Sequence, residues 1–174
     1  MKKIVLTLIL LFAMKVNAQD LNKKIEDTIN HKQVLINQCN RAGLTSFPEF
    51  KESYDFNYGY YKVDTNSVKI LSKLTKDKTI KVILGTWCED SKFQVPNFIK
   101  LLDALKISED QVKFIAVDGN KKVEDGSIDK LKIEKVPTFI IGDKMGNEIG
   151  RITESPKETL EKDLIKILSA PKTK

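Results

Sequence analysis

Apolar residues along this chain recur at two periods, which divide it into strands and helices. Continuous apolar runs of strand length, Thr79 to Thr86 and Val112 to Val117, predict central buried strands. Pro137 to Ile141 and Glu148 to Ile152 predict two more. A turn over Lys144 to Asn147 joins them, where Gly146 suits a positive φ. Val95, Phe98, Ile99, Leu102 and Leu105 recur at helical spacing and predict a helix from about Glu89 to Leu105. Pro96 should kink it, because proline lacks an N–H and crowds the preceding turn. Val68 to Leu74 predicts a helix capped by Asn66 or Ser67, and Ser127 to Leu131 a short one. Pro156 to Leu168 predicts an amphipathic helix with Ser155 as cap and Pro156 at its first position. Leu21, Ile25, Ile29, Leu35 and Ile36 form an imperfect helical stripe, predicting a helix over 21–41 that Gly43 ends. Ser46 to Lys51, with Pro48, reads as a connection. Tyr54, Phe56, Tyr58 and Tyr60 alternate, which predicts a strand from Tyr54 to Val63. Strands alternating with helices and closing on a hairpin give an α/β fold, a mixed sheet covered on both faces. An extra N-terminal helix precedes it.

The N-terminus changes the picture of where this chain works. Lys2 and Lys3 precede an apolar run from Ile4 to Met14, and Val16-Asn17-Ala18 suits a signal peptidase. Cleavage after Ala18 leaves Gln19 first. The run is too short to span a bilayer comfortably, and no cysteine follows it to carry a lipid. The predicted organisation is a signal peptide at 1–18, a helical extension at 19–53 and one α/β domain at 54–170. The expected location is periplasmic or secreted, with no stable membrane insertion after cleavage. Loss of Lys2, Lys3 and Lys15 lowers the net charge from +6 to +3. The cluster Lys73, Lys76, Lys78 and Lys81 reads as a solvated helix face and its exit loop, and no nucleic-acid motif accompanies it. His31, the one histidine, has no ligand company, so no metal is expected, and no organic cofactor is implied. Cys39 and Cys88 are too few for a disulfide framework. They form either one bridge or one reactive thiol and one bystander.

Candidate chemistry concentrates in Thr86-Trp87-Cys88-Glu89-Asp90-Ser91. Cys88 falls at the junction of a predicted strand and the N-terminus of a predicted helix. There, exposed N–H groups and the helix dipole favour a thiolate, the form that attacks disulfides. Trp87-Cys88 at this junction, Pro96 eight residues on, Val136-Pro137-Thr138 before a strand and Gly146 in the last hairpin together resemble the thioredoxin family. The resemblance runs from Tyr54 to Leu168. It implies a thioredoxin-like fold, a reactive Cys88, a cis-proline loop at Val136, Pro137 and Thr138 that pairs with substrate, and a Trp87 ring that helps substrates dock.

Three departures from that pattern bear on mechanism. Ser91 stands where a dithiol enzyme carries its resolving cysteine, and a hydroxyl cannot form a disulfide. Ser91 is either a contact to the Cys88 thiolate or a plain helix residue. Glu89-Asp90 replaces the usual Gly-Pro; two carboxylates beside a thiolate counter the helix effect. Val82 replaces the buried aspartate that assists dithiol members. The expected function is therefore mixed-disulfide exchange through Cys88 alone, supported by Ser91. Protein thiols and disulfides or small-thiol mixed disulfides would be partners, and a reducing partner would restore the thiol. Two alternatives stand beside it: a redox-inactive binding module on the same fold, and a dithiol enzyme in which Cys39 resolves Cys88.

Overall fold

The structure is a computed structural model and describes residues 21–170; the predicted signal sequence lies outside the described residues. Six strands, β1 (Lys23–Asp27), β2 (Lys32–Cys39), β3 (Thr79–Leu84), β4 (Val112–Ala116), β5 (Thr138–Gly142) and β6 (Glu148–Thr153), form one sheet. Their order is β1-β2-β4-β3-β5-β6. β3 and β4 run parallel at its centre, and the remaining pairings are antiparallel. Among the described residues five helices accompany the sheet: α1 (Arg41–Ser46), α2 (Pro48–Tyr60), α3 (Thr65–Leu74), α4 (Glu89–Ala104) and α5 (Leu160–Ser169).

Side chains alternate across a pleated sheet, so each strand feeds two cores. On one face Val82, Leu84, Phe114, Phe139, Ile141 and Ile152 meet Leu44, Phe50, Leu71, Phe98 and Leu164 from all five helices. Phe98 stacks on Phe139 with ring centroids 4.3 Å apart. On the other face Ile83 and Ile140 pack under Val117, Val123, Ile128 and Val136. The connection after β4 supplies that cover, and its regular structure is one short 3₁₀ turn, Asp129–Leu131.

Several expectations are corrected. The predicted helix over 21–41 is the β1–β2 hairpin. Asp27 turns the chain by accepting from the Ile29 N–H at 3.1 Å and from the Asn30 amide, and His31 closes the turn at φ 52°. β2 then pairs with β4, so this segment is part of the sheet and not a helical extension. The predicted strand from Tyr54 is α2, whose Pro48 occupies the first helical position instead of lying in a connection. The alternating aromatics are i,i+4 pairs: Tyr54 stacks on Tyr58 and Phe56 on Tyr60. α3 is capped by Asp64, which accepts from the Asn66 and Ser67 N–H groups. α5 begins at Leu160, capped by Thr159 and not by Ser155. The Asp163 carboxylate accepts from the Lys157 and Glu158 N–H groups and holds the residues after Pro156 in a turn.

Candidate active site

β3 delivers the chain into the site and α4 carries it away. Between them, Gly85 to Cys88 make a tight turn in which the Cys88 N–H donates to the Gly85 carbonyl at 3.0 Å. Cys88 is the N-cap of α4, with extended backbone (φ −90°, ψ 125°) and a half-buried side chain. Glu89 and Asp90 form the exposed first turn of the helix. The Cys88 thiol donates to the Val136 carbonyl at 3.2 Å. The next peptide, Val136–Pro137, is cis.

Each neighbour is fixed by an identifiable contact. The buried Thr86 hydroxyl accepts from the Leu35 N–H at 3.1 Å, which ties the turn to β2. The half-buried Trp87 indole donates to the Val117 carbonyl at 3.0 Å. Gly85 is required beneath that ring, because a Cβ there would lie 2.6 Å from Trp87 Cε2. Ser91 is fully buried, and its hydroxyl accepts from the Gly85 N–H at 3.2 Å. That bond links the first turn of α4 to the end of β3 and makes Ser91 a positioning residue. Thr138 is also buried, and its hydroxyl donates to the Lys135 carbonyl at 2.6 Å, closing the loop around Pro137.

Pro96 has a structural partner as well. Lacking an N–H, it leaves the Lys92 carbonyl without its helical donor. The Asn57 side chain supplies one at 3.2 Å, fastening α2 to the first turns of α4.

The rim carries charge that local pattern did not reveal. Lys135, next to Val136, pairs with Glu154 at 2.5 Å. The Glu154 carboxylate, with a further contribution from Asp90, holds the Lys135 ammonium above its ordinary value. Glu154 sits at φ 64°, and its N–H donates to the Pro137 carbonyl at 2.7 Å. Lys92 pairs with Glu89 at 2.7 Å. Glu154 lies on an element distant in sequence from Cys88, so no spacing rule finds it.

The structure brings Trp87, Cys88, Ser91, Val136, Pro137 and Thr138 together, and it places Cys39 elsewhere. Cys39 is opposite Phe114, and Phe114 is opposite Val82. Two strand spacings, about 10 Å, therefore separate it from β3. That already exceeds the roughly 7 Å between α-carbons that a disulfide allows. Cys39 also points into the core shared with the helices, whereas Cys88 packs on the cluster of the other face. Burial pushes the Cys39 thiol up to about 12, and both cysteines are free. Among the described residues no group of acidic, histidine or cysteine side chains is arranged to hold a metal ion.

A strand-to-helix turn ending in Trp-Cys thus faces a cis-proline loop, with the Cys88 sulfur 3.2 Å from the Val136 carbonyl. A thioredoxin family model matches residues 45–166. The chain belongs to the thioredoxin family. Among solved structures, a Pseudomonas aeruginosa protein of unknown function shares the fold at a TM-score of 0.57. Its identity is 13%, over 74% of this chain and 89% of that one. Mitochondrial thioredoxin 3 of Saccharomyces cerevisiae, in its oxidised form, matches at 25% identity over 62% of this chain and 96% of its own, with a TM-score of 0.38. No curated protein sequence gave a match. The thioredoxin-family model leaves out β1 and β2, although this chain hydrogen-bonds both into the sheet.

Proposed function

We propose that this protein is an exported thiol–disulfide exchange enzyme that works through Cys88 alone, on cysteine-containing protein segments. The observation that carries the reading is the half-buried Cys88 at the start of α4, with its sulfur 3.2 Å from the carbonyl that precedes cis-Pro137. The edge of the Val136 peptide would align a substrate strand beside the thiol, with Trp87 as an apolar shoulder.

The chemistry balances without a cofactor. The Cys88 thiolate attacks one sulfur of a substrate disulfide, forming a mixed disulfide and releasing the other sulfur as a thiolate. Ser91 cannot attack that bond, and Cys39 lies beyond reach. A second thiolate, from the substrate or from a small thiol, then attacks the mixed disulfide. Cys88 leaves as thiolate, and the substrate carries a rearranged or exchanged disulfide. No net electrons pass when the resolving thiol belongs to the substrate, which is isomerisation; two pass when an external dithiol resolves the link.

The test is intact mass of the protein equilibrated across a glutathione redox series. One glutathione adduct, lost in Cys88→Ser, is the expected result. Absence of an adduct from the folded protein at every ratio would overturn the reading in favour of a binding module without redox turnover.

A further inference from the structure

On the second face of the sheet the connection after β4 packs Val117, Val123, Ile128 and Val136 over Ile83 and Ile140. One register step toward the start of β3, on the same face, lie Lys81 and Lys113, which are direct partners across the two central parallel strands. Neighbouring strands lie about 5 Å apart, so the two side chains start from adjacent positions on this face. Lys113 makes no ion pair among the described residues. The Lys81 ammonium reaches only the Gly146 carbonyl, at 3.5 Å. It also lowers the Glu148 carboxyl, but that carboxylate is already bonded to Arg151.

Above the two lysines is a groove of about 890 Å³. Ile115, Val123, Ile128 and Leu131 make its apolar wall. The volume falls within the range of small-molecule sites, roughly 300 to 1,000 Å³. Its two acids are satisfied elsewhere: Glu124 by Lys23 and Asn37, Asp125 by the Ser127 N–H. Among the described residues no aromatic ring lines the groove, which favours a flexible aliphatic ligand over a planar one that stacks.

We propose that this groove binds an acyl-chain carboxylate, with its head group between Lys81 and Lys113 and its chain along Ile115, Ile128 and Leu131. An anionic head gives Lys113 and the weakly bonded Lys81 a counter-charge, and the chain covers the half-buried Ile115 and Leu131. The site is separate from Cys88 and does not depend on the exchange reaction.

The experiment is calorimetric titration of the purified protein with dodecanoate below its micelle concentration. Dodecyltrimethylammonium provides the same chain with the opposite charge, and acetate the head group alone. Saturable one-to-one binding of dodecanoate is expected, with weaker or no binding of the other two. Lys81→Gln and Lys113→Gln should each weaken it by about threefold to fivefold, the range of a partly exposed ion pair. The double variant should lose more. Unchanged Cys88 alkylation and a melting temperature no lower than the parent's show that these variants fold. Added salt acts on the unaltered protein in the same sense, since screening weakens the head-group contact. Equal binding of the cationic amphiphile would overturn the proposal, as would full affinity in the double variant, or binding of a Glu-rich peptide in place of dodecanoate.

Discussion

Removing the Ser91 hydroxyl separates two roles for that residue. In Ser91→Ala the Gly85 N–H, buried at the end of β3, loses its acceptor. An orphaned buried donor costs about 1 to 3 kcal/mol, whereas the cavity left by one oxygen adds little. For a chain of this length each kcal/mol lowers the melting temperature by about 2 to 4 °C, so a drop of roughly 2 to 12 °C follows. The assay is thermal and urea denaturation, read beside the rate of Cys88 alkylation at neutral pH in the folded protein. Because the hydroxyl is committed to backbone, alkylation and exchange should stay within about threefold of the parent, a change of under 1 kcal/mol. Unchanged stability with a tenfold fall in exchange would refute the reasoning and make Ser91 a direct partner of the thiolate.

Other outcomes follow from the same contacts. A thiol count with an aromatic disulfide reagent at pH 8 should give one reactive cysteine in the folded protein and two in denaturant. Cys39 is only 3% exposed and its thiol is pushed up to about 12, so two rapid thiols in the native state would contradict its placement. Burial raises the Asp27 carboxyl, but hydrogen bonds from Asn30, Ile29 and Gly119 outweigh it, and the group lies below its ordinary value. A depressed carboxylate stabilises the fold above its unfolded value and loses that contribution as pH falls through the folded one. Denaturation midpoints should therefore drop from about pH 5 downward, and Asp27→Asn should flatten part of that slope. At the rim, Glu89, Asp90 and Glu154 outnumber Lys92 and Lys135, so mixed disulfides of basic peptides should exchange faster than acidic ones. Glu154→Gln should narrow that difference, as measured by stopped-flow exchange at low salt; a preference for acidic peptides would contradict it.

Much of the fold was legible because the central elements state their period without ambiguity. β3, β4 and α4 lie where the apolar runs put them, and Pro96 sits inside α4. The failures came where two periods coincide. Tyr54, Phe56, Tyr58 and Tyr60 satisfy a period of two, yet every second pair is also four apart. Pro48, which suits a helix start, was the signal that should have decided for α2. In β2 the strand alternation is missing because Val34, Leu35 and Ile36 are all buried, so a helical stripe fitted the spacing equally well. Asn30 and His31 marked the hairpin turn that breaks that stripe. At the site, Trp87, Cys88 and the Pro137 loop were readable through the resemblance that their motifs carry to the thioredoxin family. The Thr86 tie to β2 and the Lys135–Glu154 pair were not, because both join segments whose proximity exists only after folding.

The matched family span leaves out the N-terminal hairpin, and that has a practical consequence for solubility. A protein trimmed to residues 45–166 would lose β2 and leave the open side of β4 as a bare edge in place of the short terminal strand β1. Its backbone donors and acceptors would then invite pairing with other chains. Phe114 and Ala116, now enclosed, lie on that strand. The hairpin therefore serves as a guard against self-association, and the trimmed form should aggregate while the longer one stays dispersed.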